Sequence, residues 1–367
     1  MFSNWRIVPL LLMASLQLVA CVGEEPLKLA YNSDPVVLSD DWTIDTPESQ
    51  NIDANAIEQV YRRFFSDDEF YNGISLLVIR NGVLVAEGYA RDYRDRTDYE
   101  AIQSATKSVS SMLTGIALDE GIISSLDLTL NDIYPEKFDS SSDKQSITLH
   151  QLLTMSSGID FDNSRFTVEF LADKPNDTIR YILNKPMYNT PGAEFYYRDA
   201  DPHLLSYAIQ KRSGQTLAAY AQSKLFTPLN ITNYQWLHDH TGITYGAYGI
   251  YLTPRDFAKL GQLMLQQGQW NGVQIIPATW VSTSTQKQID KTDTNPDTRN
   301  FDYGYYWWLI PSLNAYTSWG HGGNFTVVVP DKNLVVVLTS YPYSGHDAGT
   351  VLGELLPLVE ILVVGAG

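Results

Sequence analysis

The sequence predicts an α+β (mixed α/β) fold: an antiparallel sheet flanked by helices and formed by both chain ends, with a large, mainly helical subdomain inserted between them. Three observations lead there. Residues 74–90, "ISLLVIRNGVLVAEGYA", are two apolar runs split by Asn81-Gly82, the strongest short hairpin signal a sequence carries. Residues 324–340, "NFTVVVPDKNLVVVLTS", give a second pair of valine-rich strands joined by Pro330-Asp331-Lys332-Asn333. Between the two hairpins the apolar residues recur mostly at helical spacing, so sheet at the two ends of the chain is expected to pair.

Taken in order, residues 1–20 read as an export signal: Arg6 precedes an apolar run from Ile7 to Ala20 that is too short and too poorly flanked to span a bilayer. The run closes on Leu18-Val19-Ala20-Cys21, which looks like a bacterial lipobox, so Cys21 is expected to be lipidated and to tether the protein to the membrane, facing the periplasm of a bacterial envelope. Residues 21–50 are rich in Asp, Glu, Pro and Ser and read as an acidic tether. The first part of the sheet domain is expected over 51–120, opened by the amphipathic "AIEQVYRRFF" at 56–65. The helical insertion follows over 121–244, with patterns at 149–159 and 204–214. The second part of the sheet domain covers 245–345. It includes 253–268, where Thr253 is placed to cap a helix carrying Pro254 in its first turn. Residues 346–367 read as a final apolar helix packed on the sheet, interrupted by Glu354 and Glu360.

Composition narrows the function classes. The 367 residues are 44% hydrophobic and 18% charged, which is globular rather than disordered. Forty-two acidic residues against 25 basic ones give a net charge of -17, which repels phosphate backbones and argues against a nucleic-acid partner. Cys21 is the single cysteine, so neither an intrachain disulfide nor a cysteine metal cluster is available.

The chemistry concentrates in "QSATKSVSSMLTGIALDEGII", residues 103–123. Three Ser-x-x-Lys spacings occur in the chain. Ser141–Lys144 and Ser284–Lys287 lie in polar stretches that read as exposed loops. Ser104–Lys107 differs, because Val109, Met112, Leu113, Ile116 and Ala117 follow it at i, i+3, i+4, i+7 and i+8, the apolar stripe of a buried helix. A helix beginning at Ser104 brings Lys107 round onto nearly the same face, within reach of the serine oxygen. Burial and the positive helix end are both expected to lower the lysine pKa toward that of a usable base. On this stretch alone Ser104 reads either as a nucleophile or as the polar cap of the helix.

Two further stretches complete a pattern. "PGAEFYYRDADPHLL" (191–205) offers Tyr197 and Asp199, and "WGHGGNFTVVVP" (319–330) offers His321, Gly322 and Gly323 leading into a strand. With Ser104–Lys107 these resemble, in order, the Ser-x-x-Lys, Tyr-x-Asn and Lys-Thr-Gly or His-x-Gly elements of the serine beta-lactamase and penicillin-binding-protein superfamily. The similarity lies in its class C branch, near the 6-aminohexanoate oligomer hydrolases and related esterases. "ITLHQLLTMSSGID", "YLTPRDFAKLGQLMLQQGQWNG" and "YGYYWW" extend the resemblance over residues 41–345.

The resemblance implies a beta-lactamase/transpeptidase-like fold and a serine hydrolase cleaving a small-molecule ester, amide or peptide through an acyl-serine, without metal or cofactor. Ser104 is then the nucleophile, Lys107 and Tyr197 share its proton, and the backbone N–H groups of Ser104 and Asn324 hold the oxyanion, with His321, Gly322, Gly323 and Asp199 lining the site. Two departures stand out. Asp199 occupies a place where an amide is usual, and could either hold Lys107 protonated or face away. His321 replaces a lysine and so lacks a fixed positive charge for a substrate carboxylate, which disfavours penicillin hydrolysis. The alternatives are a DD-peptidase or penicillin-binding envelope protein, or a non-catalytic ligand-binding member of the fold.

Other signals are weak. The chain has no Gly-x-Ser-x-Gly elbow and no His-Glu-x-x-His. The pair His238 and His240 reads as an exposed turn rather than a metal site, and Lys291-Thr292-Asp293 lies in a polar loop with no strand after it.

Overall fold

The computed structural model describes residues 34–66, 70, 73–90, 93–139, 142–163, 172–291, 298–341 and 348–367. The expected signal segment, Cys21 and the first part of the tether therefore lie outside the described residues, as do Ser141 and the start of the 346–367 tail.

The strands are β1 (Thr43–Ile44), β2 (Gly73–Arg80), β3 (Val83–Tyr89), β4 (Glu100–Ala101), β5 (Tyr234–Trp236), β6 (Ile250–Leu252), β7 (Gln269–Trp270), β8 (Val273–Gln274), β9 (Asp302–Tyr303), β10 (Trp308–Ile310), β11 (Ala315–Gly320), β12 (Asn324–Val329) and β13 (Leu334–Ser340). Eight of them form one sheet in the order β1-β3-β2-β13-β12-β11-β10-β9, parallel only between β1 and β3 and antiparallel elsewhere. The two hairpins read from the sequence lie side by side in it, β2 against β13 with Val78 opposite Val336. Asn81 and Gly82 both have positive φ, 53° and 79°, as a two-residue hairpin turn between twisted strands requires.

The helices are α1 (Ala54–Ser66), α2 (Thr106–Asp119), α3 (Leu130–Ile133), α4 (Leu149–Leu153), α5 (Thr178–Leu183), α6 (Ala200–Ser213), α7 (Leu217–Ala221), α8 (Pro254–Leu265), α9 (Ala278–Ser284) and α10 (Ala348–Gly365). Helix α1 packs against α10 and the sheet, with Tyr61 donating its hydroxyl to the Leu76 carbonyl at 2.8 Å. Helix α8 covers β12, β13 and β2. Thr253 caps α8 as expected, its oxygen accepting from the Asp256 N–H at 3.1 Å. Helix α4 is shorter than the periodic pattern over 149–159, because Met155 turns left-handed (φ 56°) directly after it. Among the described residues no helix is long and apolar enough to cross a membrane.

Within the stretch read as a tether, residues from Val36 onward lie against the body. The Val36 N–H donates to Glu87 at 3.0 Å, its carbonyl accepts from Arg255 at 2.7 Å, and Arg255 also reaches Asp40 at 2.8 Å. The Trp42 indole donates to the Arg255 carbonyl and meets Trp270 edge-on. The Arg255 and Glu87 hydrogen bonds and the buried Trp42, rather than a run of apolar side chains, dock this part of the acidic tether, since Val36, Val37 and Leu38 remain exposed.

Candidate active site

Ser104 sits where three parts of the chain converge. A single turn of 3-10 helix, Gln103–Ala105, leads directly into α2, so the regular helix starts at Thr106 rather than at Ser104. Neither segment carries a side-chain cap, so Ser104 does not serve as the helix cap that the sequence left open. Gln103 just before it is left-handed, φ 52°, a conformation that costs a non-glycine residue about 1–2 kcal/mol. The turn is held on one side by the small sheet β4-β6-β5, where the Ile102 N–H donates to the Ile250 carbonyl at 3.0 Å. On the other side the end of β11 presses in. A β-carbon on Gly320 would stand 2.1 Å from the Ile102 oxygen, so only glycine lets that strand approach.

Helix α2 buries the expected stripe, Val109, Met112, Leu113, Ile116 and Ala117. It is buried well beyond that stripe, because Ser108 and Ser110 on its other sides donate to the Tyr306 and Gly246 carbonyls. Lys107 is buried while Ser104 is half-buried and open to the surface. The Lys107 ammonium donates to Ser104 Oγ at 3.0 Å, to Asp199 Oδ1 at 2.7 Å and to the Ala247 carbonyl at 3.1 Å. It also lies 4.8 Å from the centre of the Tyr197 ring.

The electrostatics correct one expectation. Burial does press the Lys107 pKa downward, but the charge of Asp199, the phenol of Tyr197 and the hydrogen bonds that Lys107 gives to both outweigh it, and the net shift is upward. At rest Lys107 is a firmly held ammonium. Asp199 does not face away.

Tyr197 and Asp199 are delivered by the loop that enters α6. Arg198 between them is fully buried, donating to the Tyr196 and Ile159 carbonyls and to Ser157 Oγ. Ser157 in turn donates to the buried Asp201 at 2.6 Å. The Asp199 N–H donates to Asn163 Oδ1 at 2.7 Å. The Tyr197 ring rests on Trp308 of β10, 5.7 Å between centres, and Trp308 on Trp319 of β11.

His321, Gly322 and Gly323 form the turn between β11 and β12, with positive φ at both glycines (85° and 107°) and the strand starting at Asn324 as expected. His321 is exposed. Asn324 is fully buried, and its amide clamps the turn: Nδ2 donates to the His321 and Ser340 carbonyls at 3.0 and 3.2 Å, and Oδ1 accepts from the Ser340 N–H at 3.1 Å.

The structure thus brings together Ser104, Lys107, Tyr197 and Asp199, with the His321–Asn324 turn beside them through the Gly320–Ile102 contact. Sequence reasoning missed Ala247, whose contribution is a backbone carbonyl that any residue type carries. It also missed the Arg198–Ser157–Asp201 support, because nothing in the Arg-Asp-Ala-Asp run at 198–201 signals that Arg198 and Asp201 are buried.

The competing motifs resolve differently. Ser284, expected in an exposed loop, is the buried last residue of α9 and donates to the Val281 carbonyl, because Trp280 and Val281 pull that turn into the core. His238 and His240 bond to the carbonyls of Asp239 and Pro175, while Asp239 between them turns inward to His203 at 3.2 Å. Among the described residues no group of three or more His, Cys, Asp or Glu side chains could hold a metal ion.

A sequence profile of the family described as Beta-lactamase matches residues 62–351. Protein flp of Staphylococcus aureus (strain COL) is 29% identical over 186 residues, covering 46% of this chain. That match spans 37% of the relative's own length. The 6-aminohexanoate-dimer hydrolase of Paenarthrobacter ureafaciens is 25% identical over 318 residues, 78% of each chain. Among solved structures, a Bacillus anthracis protein provisionally described as a 6-aminohexanoate-dimer hydrolase superposes with a TM-score of 0.71 at 18% identity over 91% of both chains, a likeness of fold.

Proposed function

Because the chain belongs to the beta-lactamase family, we propose that it is a serine hydrolase that opens an ester or amide bond through an acyl group carried on Ser104. In this reading Ser104 Oγ attacks the substrate carbonyl carbon. Its proton passes to the Lys107–Tyr197 pair and from there to the leaving group, and water then releases the acyl group. The backbone N–H groups of Ser104 and Asn324 receive the charge that develops on the carbonyl oxygen. The observation that carries the proposal is the Lys107 Nζ to Ser104 Oγ distance of 3.0 Å, formed by a buried amine and a serine that solvent can reach.

The 6-aminohexanoate-dimer hydrolase relative supports a small-molecule substrate. His321 in place of a lysine leaves no permanent cation at the turn, which favours substrates without a carboxylate to be gripped there. The second reading, a non-catalytic ligand-binding member, is favoured by the Lys107–Asp199 ion pair, which ties up the amine. A fluorophosphonate probe separates the two. Phosphonylation at Ser104, abolished by Ser104→Ala, supports the hydrolase, whereas an unlabelled wild-type chain supports the binding module. Turnover of short esters and linear amides, set against release of terminal D-Ala from a model peptide, then distinguishes esterase or amidase from DD-peptidase. We also propose anchoring through a lipidated Cys21 in the bacterial envelope, a reading that rests on the sequence. Metabolic labelling with a palmitate analogue that persists in a Cys21→Ser variant would remove it.

A further inference from the structure

Resting on the hydrolase reading above, we infer that Asp199 clamps Lys107 as an ammonium and thereby sets the pH above which the Ser104–Lys107–Tyr197 cluster can accept the serine proton.

An ammonium has three N–H donors and no acceptor, and a neutral amine has two donors and one lone pair. Lys107 Nζ has Ser104 Oγ, Asp199 Oδ1 and the Ala247 carbonyl at 3.0, 2.7 and 3.1 Å, with the Tyr197 phenol as a further oxygen neighbour. The carbonyl can only accept, and so can an ionised carboxylate. All three donors of the ammonium are therefore matched. Before Ser104 can give up its proton, the Lys107–Tyr197 pair must first lose one, either from the amine or from the phenol. Whichever group releases it, the event belongs to the pair, and the carboxylate 2.7 Å from Nζ opposes it in both cases. An amide in place of Asp199 would leave the same contacts without that negative charge.

The other ionisable groups around the pair do not cancel the effect. Arg198 has its charge directed at the Ile159 and Tyr196 carbonyls and Ser157, with Asp201 nearby. Across a small cavity behind Asp199 stand His203, bonded to Asp239, and the phenols of Tyr245 and Tyr248. Tyr303 and Tyr306 interact with Tyr197, and burial holds both in the neutral form. Lys291 lies over Trp308, engaged with the Thr298 and Phe301 carbonyls, and His321 is on the exposed turn. Asp199 is the ionic partner at contact distance from Lys107 Nζ. The upward shift at Lys107 agrees with this arrangement.

The test is the pH profile of kcat/KM on a p-nitrophenyl ester for wild type, Asp199→Asn and Asp199→Glu. The acid-side limb of Asp199→Asn is expected to move down by about one to two pH units, the range a contact charge produces, while Asp199→Glu stays near wild type. Coincident limbs for wild type and Asp199→Asn, or an upward move, would overturn the inference. An independent readout is NMR titration of Lys107 in protein carrying ε-13C lysine in a Ser104→Ala background, with and without Asp199→Asn. A lower titration point on adding Asp199→Asn supports the clamp, and an unchanged one overturns it. If the wild type neither hydrolyses esters nor is phosphonylated at Ser104 at any pH from about 5 to about 10, the hydrolase reading fails, while the NMR titration still decides whether Asp199 clamps Lys107.

Discussion

Gly320 lies so close to Ile102 that a β-carbon on it would be 2.1 Å from the Ile102 oxygen. That contact presses the end of β11 against the residue two before Ser104, and it is backbone against backbone, so no side chain can swing aside to relieve an added methyl. Gly320→Ala is expected to cost about 1–3 kcal/mol, the usual range for overpacking, and to reduce Ser104 phosphonylation more than tenfold by shifting the turn. Gly121→Ala is the control, since Gly121, unlike Gly320, has open space for a β-carbon and carries only the strain of φ 69°. Equal labelling rates for the two variants would mean that the β11 contact does not position Ser104.

Lys107 is expected to contribute to turnover rather than to binding. Lys107→Ala removes the donor to Ser104 Oγ and leaves Asp199, with its side chain only 16% exposed, without its 2.7 Å partner. Ester turnover should fall by about a hundredfold or more. Substrate affinity, read as KM or as binding of a non-hydrolysable analogue, should change much less. Unchanged turnover would remove Lys107 from the chemistry.

The sequence made the sheet legible because its signals there are local. Asn81-Gly82 dictates a tight turn, Pro330–Asn333 a looser one, and the valine-rich runs on either side have no other place than a buried sheet, so the β2–β13 pairing followed. Ser104 and Lys107 were legible for a similar reason: the stripe from Val109 to Ala117 fixes a buried helix and hence the face on which both residues lie. What could not be read is set by contacts distant along the chain. The direction of the Lys107 shift depends on Asp199 turning inward, 92 positions later. The docking of Val36–Trp42 depends on Arg255, more than 200 positions away. The left-handed Gln103 has no residue-type signature at all, since glutamine shows no preference for positive φ.

Arg255 is expected to be a stability residue. It is buried with the fully buried Glu87, which it holds below the usual carboxylate range despite burial pushing the other way, with help from Tyr89 and the Val36 N–H. Arg255→Met leaves the buried Glu87 with Arg96, 3.0 Å away, as its remaining counter-charge and releases Val36 and Asp40. Removing one partner of a buried pair costs about 3–5 kcal/mol. Urea denaturation should report that loss, and limited proteolysis should cut near Val37 before the body unfolds. The exposed pair Arg62–Glu58 gives the contrast, where Arg62→Met should change stability by about 0.5 kcal/mol or less. Similar losses in the two variants would mean that the Glu87 network is not a structural anchor.

Asp201 gives stability a pH dependence of defined sign. Its carboxyl is fully buried, and burial pushes it up to about 6 against the attraction of Arg198 and the hydrogen bonds from Ser157. A carboxyl whose folded value exceeds its unfolded value, near 3.9, binds its proton more tightly when folded. Its contribution is therefore complete below about pH 4 and is lost as pH rises through about 6. Asp201→Asn carries no charge at any pH and escapes that loss. The stability of the variant relative to wild type is expected to rise between about pH 4 and pH 7 and then level off, with a total change of up to about 3 kcal/mol for a shift of this size. Denaturation curves at four pH values across that window measure it. A difference that stays flat with pH would mean that Asp201 is already ionised near its ordinary value and that Arg198 fully compensates its burial.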